Sequence, residues 1–299
     1  MDLSQHPYAD GDLNAIAVLV ISLTDQPRNP HLIHDLHIMG FNPTLVPAVD
    51  ARTWRPPFTG HPVDTTAFLN YYGRLPSGGE VGCALSHMLC YQMAVEFGHE
   101  WTVVLEDDAV VNHRFPIILQ ALDLLATTTP RVLSLRTASC SVMRKDSLHK
   151  IPNNDRGDVT LGQFFAAPPW NIGYAINAAA AAQAVLHPRV TGVADWPLWA
   201  HAFQFWGIYP WPVSIYESES TLESGRTQAA AEMKTRRFTR SKIIRTYDYL
   251  EIQKIGVWTK NLGGIRPYFR YIAVPRVQLI TGKFGQKRIS DEPDSPRIR

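Results

Sequence analysis

Read from the N-terminus, the chain alternates two kinds of hydrophobic pattern. IAVLVISL (Ile16 to Leu23) is a continuous, largely β-branched run, which predicts a strand buried on both faces. A polar, proline-containing turn follows, then a helix from His31 to Met39 ending at Gly40. TLVPAVD (Thr44 to Asp50) predicts the next strand. Residues 51–79 are rich in proline, glycine and aromatics and read as a long loop or short insertion. From Glu80 to Phe97, apolar residues fall at Val81, Ala84, Leu85, Met88, Leu89 and Met93. That is helical spacing, and Gly98 supplies the stop. Trp101 to Leu105 predicts a strand, Arg114 to Ala126 a helix, and Arg131 to Leu135 a strand. Asn171 to Ile176 predicts a strand leading into the alanine-rich helix Ala178 to Leu186. Strands alternating with helices predict an α/β layered domain with a largely parallel sheet. No internal repeat is visible. Beyond about Ala229 the pattern turns basic and helical, then irregular. This divides the chain into a body, residues 1–228, and an extension, residues 229–299.

Composition narrows the classes. The chain has 299 residues, 45% of them hydrophobic and 19% charged, which suits a globular protein with a large core. Its longest apolar run, near Ala15 to Leu23, is about half of the roughly 20 residues a membrane-spanning helix needs. The polar, acidic start MDLSQHPYADGD does not resemble a secretory leader. Cys83 and Cys90 fall on one predicted helix, too far apart to bridge, and Cys140 makes the count odd. Reduced thiols in a cytoplasmic protein are therefore expected, each acting as a small hydrophobe. The net charge of +2 hides an asymmetry. From Lys234 onward there are 16 basic and 5 acidic residues, against 13 and 22 in the remainder. Tyr247, Tyr249, Trp258, Tyr268, Phe269 and Tyr271 lie among those basic residues, a composition suited to an anionic membrane surface. A solvated basic helix pair is the alternative, and no nucleic-acid partner is expected.

One stretch carries most of the chemistry. In WTVVLEDDAVV (Trp101 to Val111), a predicted strand runs straight into Glu106, Asp107 and Asp108. Strand carboxyl ends form the ligand crevice of open α/β sheets. Adjacent carboxylates there repel unless a cation neutralises them, and Mg²⁺ or Mn²⁺ prefers oxygen ligands. A solvated acidic turn or a helix cap is the plainer alternative.

Four blocks then resemble glycosyltransferase family 25, which includes bacterial lipooligosaccharide galactosyltransferases and collagen galactosyltransferase domains. They are VLVISLTDQPRN with LHIMGFNPTLVPAVDAR, GEVGCALSHMLCYQMA, WTVVLEDDAVV, and WNIGYAINAAAAAQAVL followed by VADWPLW, together spanning roughly Ile16 to Trp199. The resemblance implies a GT-A type, Rossmann-like fold that binds a nucleotide sugar, usually UDP-galactose, and inverts the transferred sugar. It places Glu106 and Asp108 on a divalent metal, Mn²⁺ or Mg²⁺, and Asp107 on the donor ribose or sugar or at a helix cap. Arg28 matches the family's arginine near the nucleotide pocket, or is a surface residue. Ser86 and His87 match its SH pair, lining the donor side or serving the core.

An inverting transfer needs a proton acceptor. Asp195 matches the family's aspartate there and is the expected base, with Trp196 and Trp199 as sugar-stacking faces. Glu217 and Glu219 are fallback bases, and an N-cap is the alternative role for Asp195. Glycines in SGGEVG (Ser77 to Gly82) either bring backbone N–H groups near a phosphate or mark a turn. The chain departs from metal sites completed by a late histidine, since no histidine follows His201. His31, His34 and His37 sweep too much of a helix surface to share an ion. The sequence thus predicts a cytoplasmic, metal-dependent galactosyltransferase acting on a lipid-linked saccharide, with peripheral membrane attachment. The alternatives are another UDP-hexose, a protein acceptor, or a non-catalytic nucleotide-sugar or membrane adaptor.

Overall fold

The computed structural model describes residues 16–25, 27–137, 142–152, 157–168, 172–194, 196–216 and 297–298. In chain order the elements are β1 (Ile16–Ser22), α1 (Leu32–Ile38), β2 (Pro43–Pro47), α2 (Thr65–Tyr72), α3 (Gly78–Phe97), β3 (Trp101–Glu106) and β4 (Ala109–Val111). Then come α4 (Ile118–Asp123), β5 (Arg131–Ser134), β6 (Val142–Met143), β7 (His149–Ile151), β8 (Val159–Gln163) and β9 (Gly173–Asn177). They are followed by α5 (Ala178–Ala184), β10 (Gln204–Tyr209), β11 (Val213–Ile215) and β12 (Arg297–Ile298). Of the extension over 229–299, only β12 falls within the described residues, parallel to β6.

Eight strands form the central sheet in the order β2-β1-β3-β9-β5-β10-β8-β7. β1 pairs parallel with both β2 and β3, and β5 pairs parallel with β10. β9 runs antiparallel to β3 and β5, and β8 antiparallel to β10 and β7. Six strands therefore point one way and two the other, so the sheet is mostly parallel in direction, as expected, with mixed pairing. The insertion of β9 between β3 and β5 is what breaks the run of parallel neighbours.

The continuous apolar runs of β1 and β3 have the expected cause, because both faces of the sheet are covered. Val18 and Val20 of β1 and Val103 and Leu105 of β3 pack on α1 and α4. Leu19, Ile21 and Val104 face the other way, into a core shared with α3 and α5. Residues 51–79, expected to be a long loop or short insertion, contain α2 as a further helix. It is capped by Asp64, whose carboxylate accepts from Ala67 N–H, and closed by Gly73 in the left-handed region.

Helix α3 starts earlier than its apolar period suggests. Ser77 accepts from the Glu80 N–H while the Glu80 carboxylate reaches back to the Ser77 N–H, a reciprocal cap. Arg74 pairs with the buried Glu80 carboxylate at 2.5 and 2.7 Å. Gly78 and Gly82 serve packing rather than phosphate approach. A Cβ on Gly78 would stand 2.0 Å from the Ala51 carbonyl oxygen, and one on Gly82 would stand 2.4 Å from that of Val49. Only glycine lets α3 lie this close to residues 49–51, and that closeness sets where its side chains meet the end of β3.

Candidate active site

The acidic triplet lies at the carboxyl end of β3, where Glu106 pairs in register with Ile21 near the end of β1. Its turn is pinned by three other segments. Glu106 N–H donates to the Ile172 carbonyl, Asn29 N–H to the Asp107 carbonyl, and Tyr216 N–H to the Asp108 carbonyl. The buried Asn29 side chain also donates to the Ala109 carbonyl at 2.7 Å and accepts from the His31 N–H. The turn after β1, the turn after β3 and the end of β11 are thereby locked together.

Arg28 neutralises part of this charge. Its Nε donates to Asp107 Oδ1 at 2.6 Å, and its Nη2 lies 3.0 Å from Asp108 Oδ2. Burial works against the Arg28 charge, but Asp108 and Asp107 outweigh it, and the guanidinium sits above its usual value. The second oxygen of Asp107 takes the Ser22 hydroxyl at 3.3 Å, so this carboxylate ties β1 to β3 and is only 7% exposed. Asp108 is less well served. Its Oδ1 is buried without a hydrogen-bond partner, and burial, then the Glu106 charge, push its carboxyl up to about 6 despite Arg28. Glu106 is the most accessible of the three, its side chain 30% exposed.

Glu106 looks toward α3. Its Oε1 lies 3.7 Å from His87 Nε2, while His87 Nδ1 is 2.8 Å from the Tyr174 hydroxyl. Cys83, one turn before His87, completes a cluster with it and Glu106. Tyr174 is fully buried, which holds its hydroxyl neutral, well above the usual value.

The structure thus brings Arg28, Glu106, Asp107, Asp108 and His87 together. It separates Ser86 from them in role. Its hydroxyl donates to the Gly82 carbonyl and accepts from the Val49 N–H, both at 2.8 Å, fastening α3 to the chain after β2. The expected base, Asp195, and the fallbacks Glu217 and Glu219 lie outside the described residues, as do Cys140 and Lys234. The Trp196 ring is not a sugar platform. It is buried edge-on against Tyr174 and Phe205, at 5.1 and 4.7 Å. Trp199 stacks on His187 at 5.1 Å. His31, His34 and His37 are all exposed on or beside α1 and form no ligand cluster. Cys90 is the expected buried hydrophobe, its thiol pushed up to about 12 by burial. Cys83 is not, since it is only half-buried and faces His87 and Glu106. Sequence reasoning missed Cys83, Tyr174, Asn29 and Ser22. The first was open to detection, since a cysteine and a histidine four apart on a helix share one side.

Glu106 and Asp108 fit a divalent cation. Both are oxygen donors, and an ion would satisfy the orphaned Asp108 Oδ1 and relieve the repulsion that raises its carboxyl. Among the described residues, no helix is long and apolar enough to cross a membrane.

Comparison with known proteins agrees with the earlier resemblance. The model of glycosyltransferase family 25 (LPS biosynthesis protein) matches residues 15–185. The chain is similar to "Probable inactive glycosyltransferase 25 family member 3" of Rattus norvegicus, with 33% identity over 117 residues. The match covers 38% of this chain and 20% of that protein, so the chain spans about a fifth of that relative's length. Among solved structures it overlaps a "Putative Glucose-1-Phosphate Thymidylyltransferase from Bacillus anthracis in Complex with a Sucrose". There the identity is 10% and the TM-score 0.33, over 76% of this chain and 98% of that one.

Proposed function

The chain belongs to glycosyltransferase family 25, and from that premise we propose that its acidic triplet serves hexose transfer from a UDP donor to a saccharide acceptor. Galactose is the first sugar to test, the reaction inverts the sugar, and the acceptor is a lipid-linked glycan of the lipopolysaccharide type at the cytoplasmic membrane face. The observation that carries this reading is the orphaned, buried Asp108 Oδ1 beside Glu106 at the carboxyl end of a central strand.

Glu106 and Asp108 would hold Mn²⁺ or Mg²⁺, which when bound supplies a Lewis acid for the departing diphosphate. The other roles belong to the chain itself. Arg28 and Ser22 fix the Asp107 carboxylate, and with it the turn that presents Glu106 and Asp108. His87, held by Tyr174, limits where Glu106 can swing. Asp195 is proposed to take the acceptor hydroxyl's proton as the sugar bond forms. In support of this role, its neighbour Trp196 packs on Tyr174, and Val193 and Ala194 line a small cavity with His87. Asp195→Asn is expected to cut turnover with little change in donor affinity.

A second reading is a nucleotide-sugar binder without turnover, favoured by the name of the rat relative. A screen of nucleotide sugars with Mn²⁺, reading UDP release and the product anomer, separates the two. The proposal expects turnover with one UDP-hexose and inversion of its anomeric centre. Binding without UDP release from any donor, across a panel of glycolipid acceptors, would establish the second reading.

A further inference from the structure

Helix α3 and strand β3 meet beside the donor site, at Glu106, and bring there a cysteine that the donor-site reading does not use. Cys83 and His87 sit four residues apart on α3 and therefore share one side of it. β3 delivers Glu106 opposite them at its last position. The Cys83 sulfur, a His87 ring nitrogen and a Glu106 carboxylate oxygen all lie within 4.8 Å of one another. Among the described residues this is the one such group of three. His87 Nε2 and Glu106 Oε1 are 3.7 Å apart, too far for a direct hydrogen bond. A tetrahedral ion with bonds of about 2.0–2.3 Å sets its donors roughly 3.3–3.8 Å apart, which matches that separation.

The buried partner of His87 is a second observation. Its Nδ1 contacts the Tyr174 hydroxyl at 2.8 Å, and Tyr174 is also hydrogen-bonded to Tyr91. When the single Tyr174 proton goes to Tyr91, the Tyr174 oxygen accepts the Nδ1–H of His87. The other ring nitrogen, Nε2, faces Glu106. A cation at that point would be held by the sulfur, the ring nitrogen and the carboxylate together. Imidazoles that bind metals are commonly held through their other nitrogen in this way.

We propose that Cys83, His87 and Glu106 form a second cation site, taking a thiophilic ion such as Zn²⁺ and leaving one coordination position open. Its sulfur and nitrogen donors set it apart from the all-oxygen pair Glu106 and Asp108, which suits Mn²⁺ or Mg²⁺. Glu106 has two oxygens and joins the two sites, so an ion on α3 would orient that carboxylate for the donor. The site stands on the placement of Cys83, His87 and Glu106 and on the hold of Tyr174 on His87, and its failure would leave the transfer reading intact.

The test uses the full chain, stripped with chelator and titrated with Co²⁺ as a spectroscopic stand-in for Zn²⁺. The expected result is one equivalent of tightly bound Co²⁺ with a thiolate-to-cobalt charge-transfer band, displaced by Zn²⁺. Cys83→Ser should abolish the band and weaken Co²⁺ binding at least about 100-fold. Tyr174→Phe should weaken it by about 10–100-fold, the usual effect of losing a group that orients a ligand. Asp108→Asn should keep the band. Circular dichroism confirms that each variant is folded. The proposal is overturned by the absence of a band, by a band that survives Cys83→Ser, or by its loss in Asp108→Asn, which would merge the two sites into one.

Discussion

Asp108 shows what a single residue reveals at this site. Burial and Glu106 make its ionisation harder in the folded chain, moving it from 3.8 to about 6. The folded protein therefore holds an extra proton between those values. The resulting stabilisation is complete below about pH 4 and is lost as pH rises through about 6. At neutral pH the ionised carboxylate is a burden of about 1–3 kcal/mol on the metal-free protein. Asp108→Asn removes it, so without divalent ions the variant should melt higher than the parent above pH 6, by roughly 2–10 °C, and coincide with it near pH 4. A lower melting temperature at pH 7 would mean that attraction to Arg28 dominates instead. The triplet itself was visible in the sequence because three adjacent charges between apolar runs are locally improbable. Tyr174 and Ser22 were not, because their roles exist only once β9 and β1 stand beside β3.

At the scale of an element, α3 positions the most chemistry. Its helical period and its Gly98 stop were readable, but its start was not, because two glycines at the N-terminus look like a loop. Their reason is tertiary, since the backbone at residues 49–51 occupies the space of any side chain. Gly82→Ala should therefore cost at least about 1–3 kcal/mol, despite the better helix propensity of alanine. It should also shift Cys83 and His87 relative to Glu106, and so impair cation binding as well as stability. Ser77→Ala should cost about 1 kcal/mol through the lost cap and leave cation binding unchanged. Chemical denaturation of both variants checks the pair. A neutral Gly82→Ala would show that residues 49–51 yield.

For the whole molecule, the alternation of strands and helices from Ile16 to Leu135 was enough to predict layered α/β architecture. The far edge of the sheet, β10, β8 and β7, was not legible. β7 and β8 are short, β7 is mostly exposed, and β10 follows a segment without clear periodicity, so neither strand period nor helix period stands out. Strand direction was also hidden, because a buried strand such as β9 reads the same whether parallel or antiparallel. The charge asymmetry belongs to this scale too. The net +11 from Lys234 onward, rich in aromatics, should carry the chain onto anionic vesicles at low salt and release it at high salt. Sedimentation with anionic and neutral vesicles checks this, and equal binding to both would rule out the electrostatic account.

The most direct test of the central claim is UDP release from the preferred nucleotide sugar by the parent chain and by Glu106→Gln. Each is measured with Mn²⁺ and with excess chelator. Glu106→Gln removes a charge contact worth about 3–4 kcal/mol in the transition state. Turnover should fall by roughly 10²–10³-fold in the variant, with the fold intact, and chelator should silence the parent. Undiminished turnover in chelator, or a fully active Glu106→Gln protein, would contradict the account.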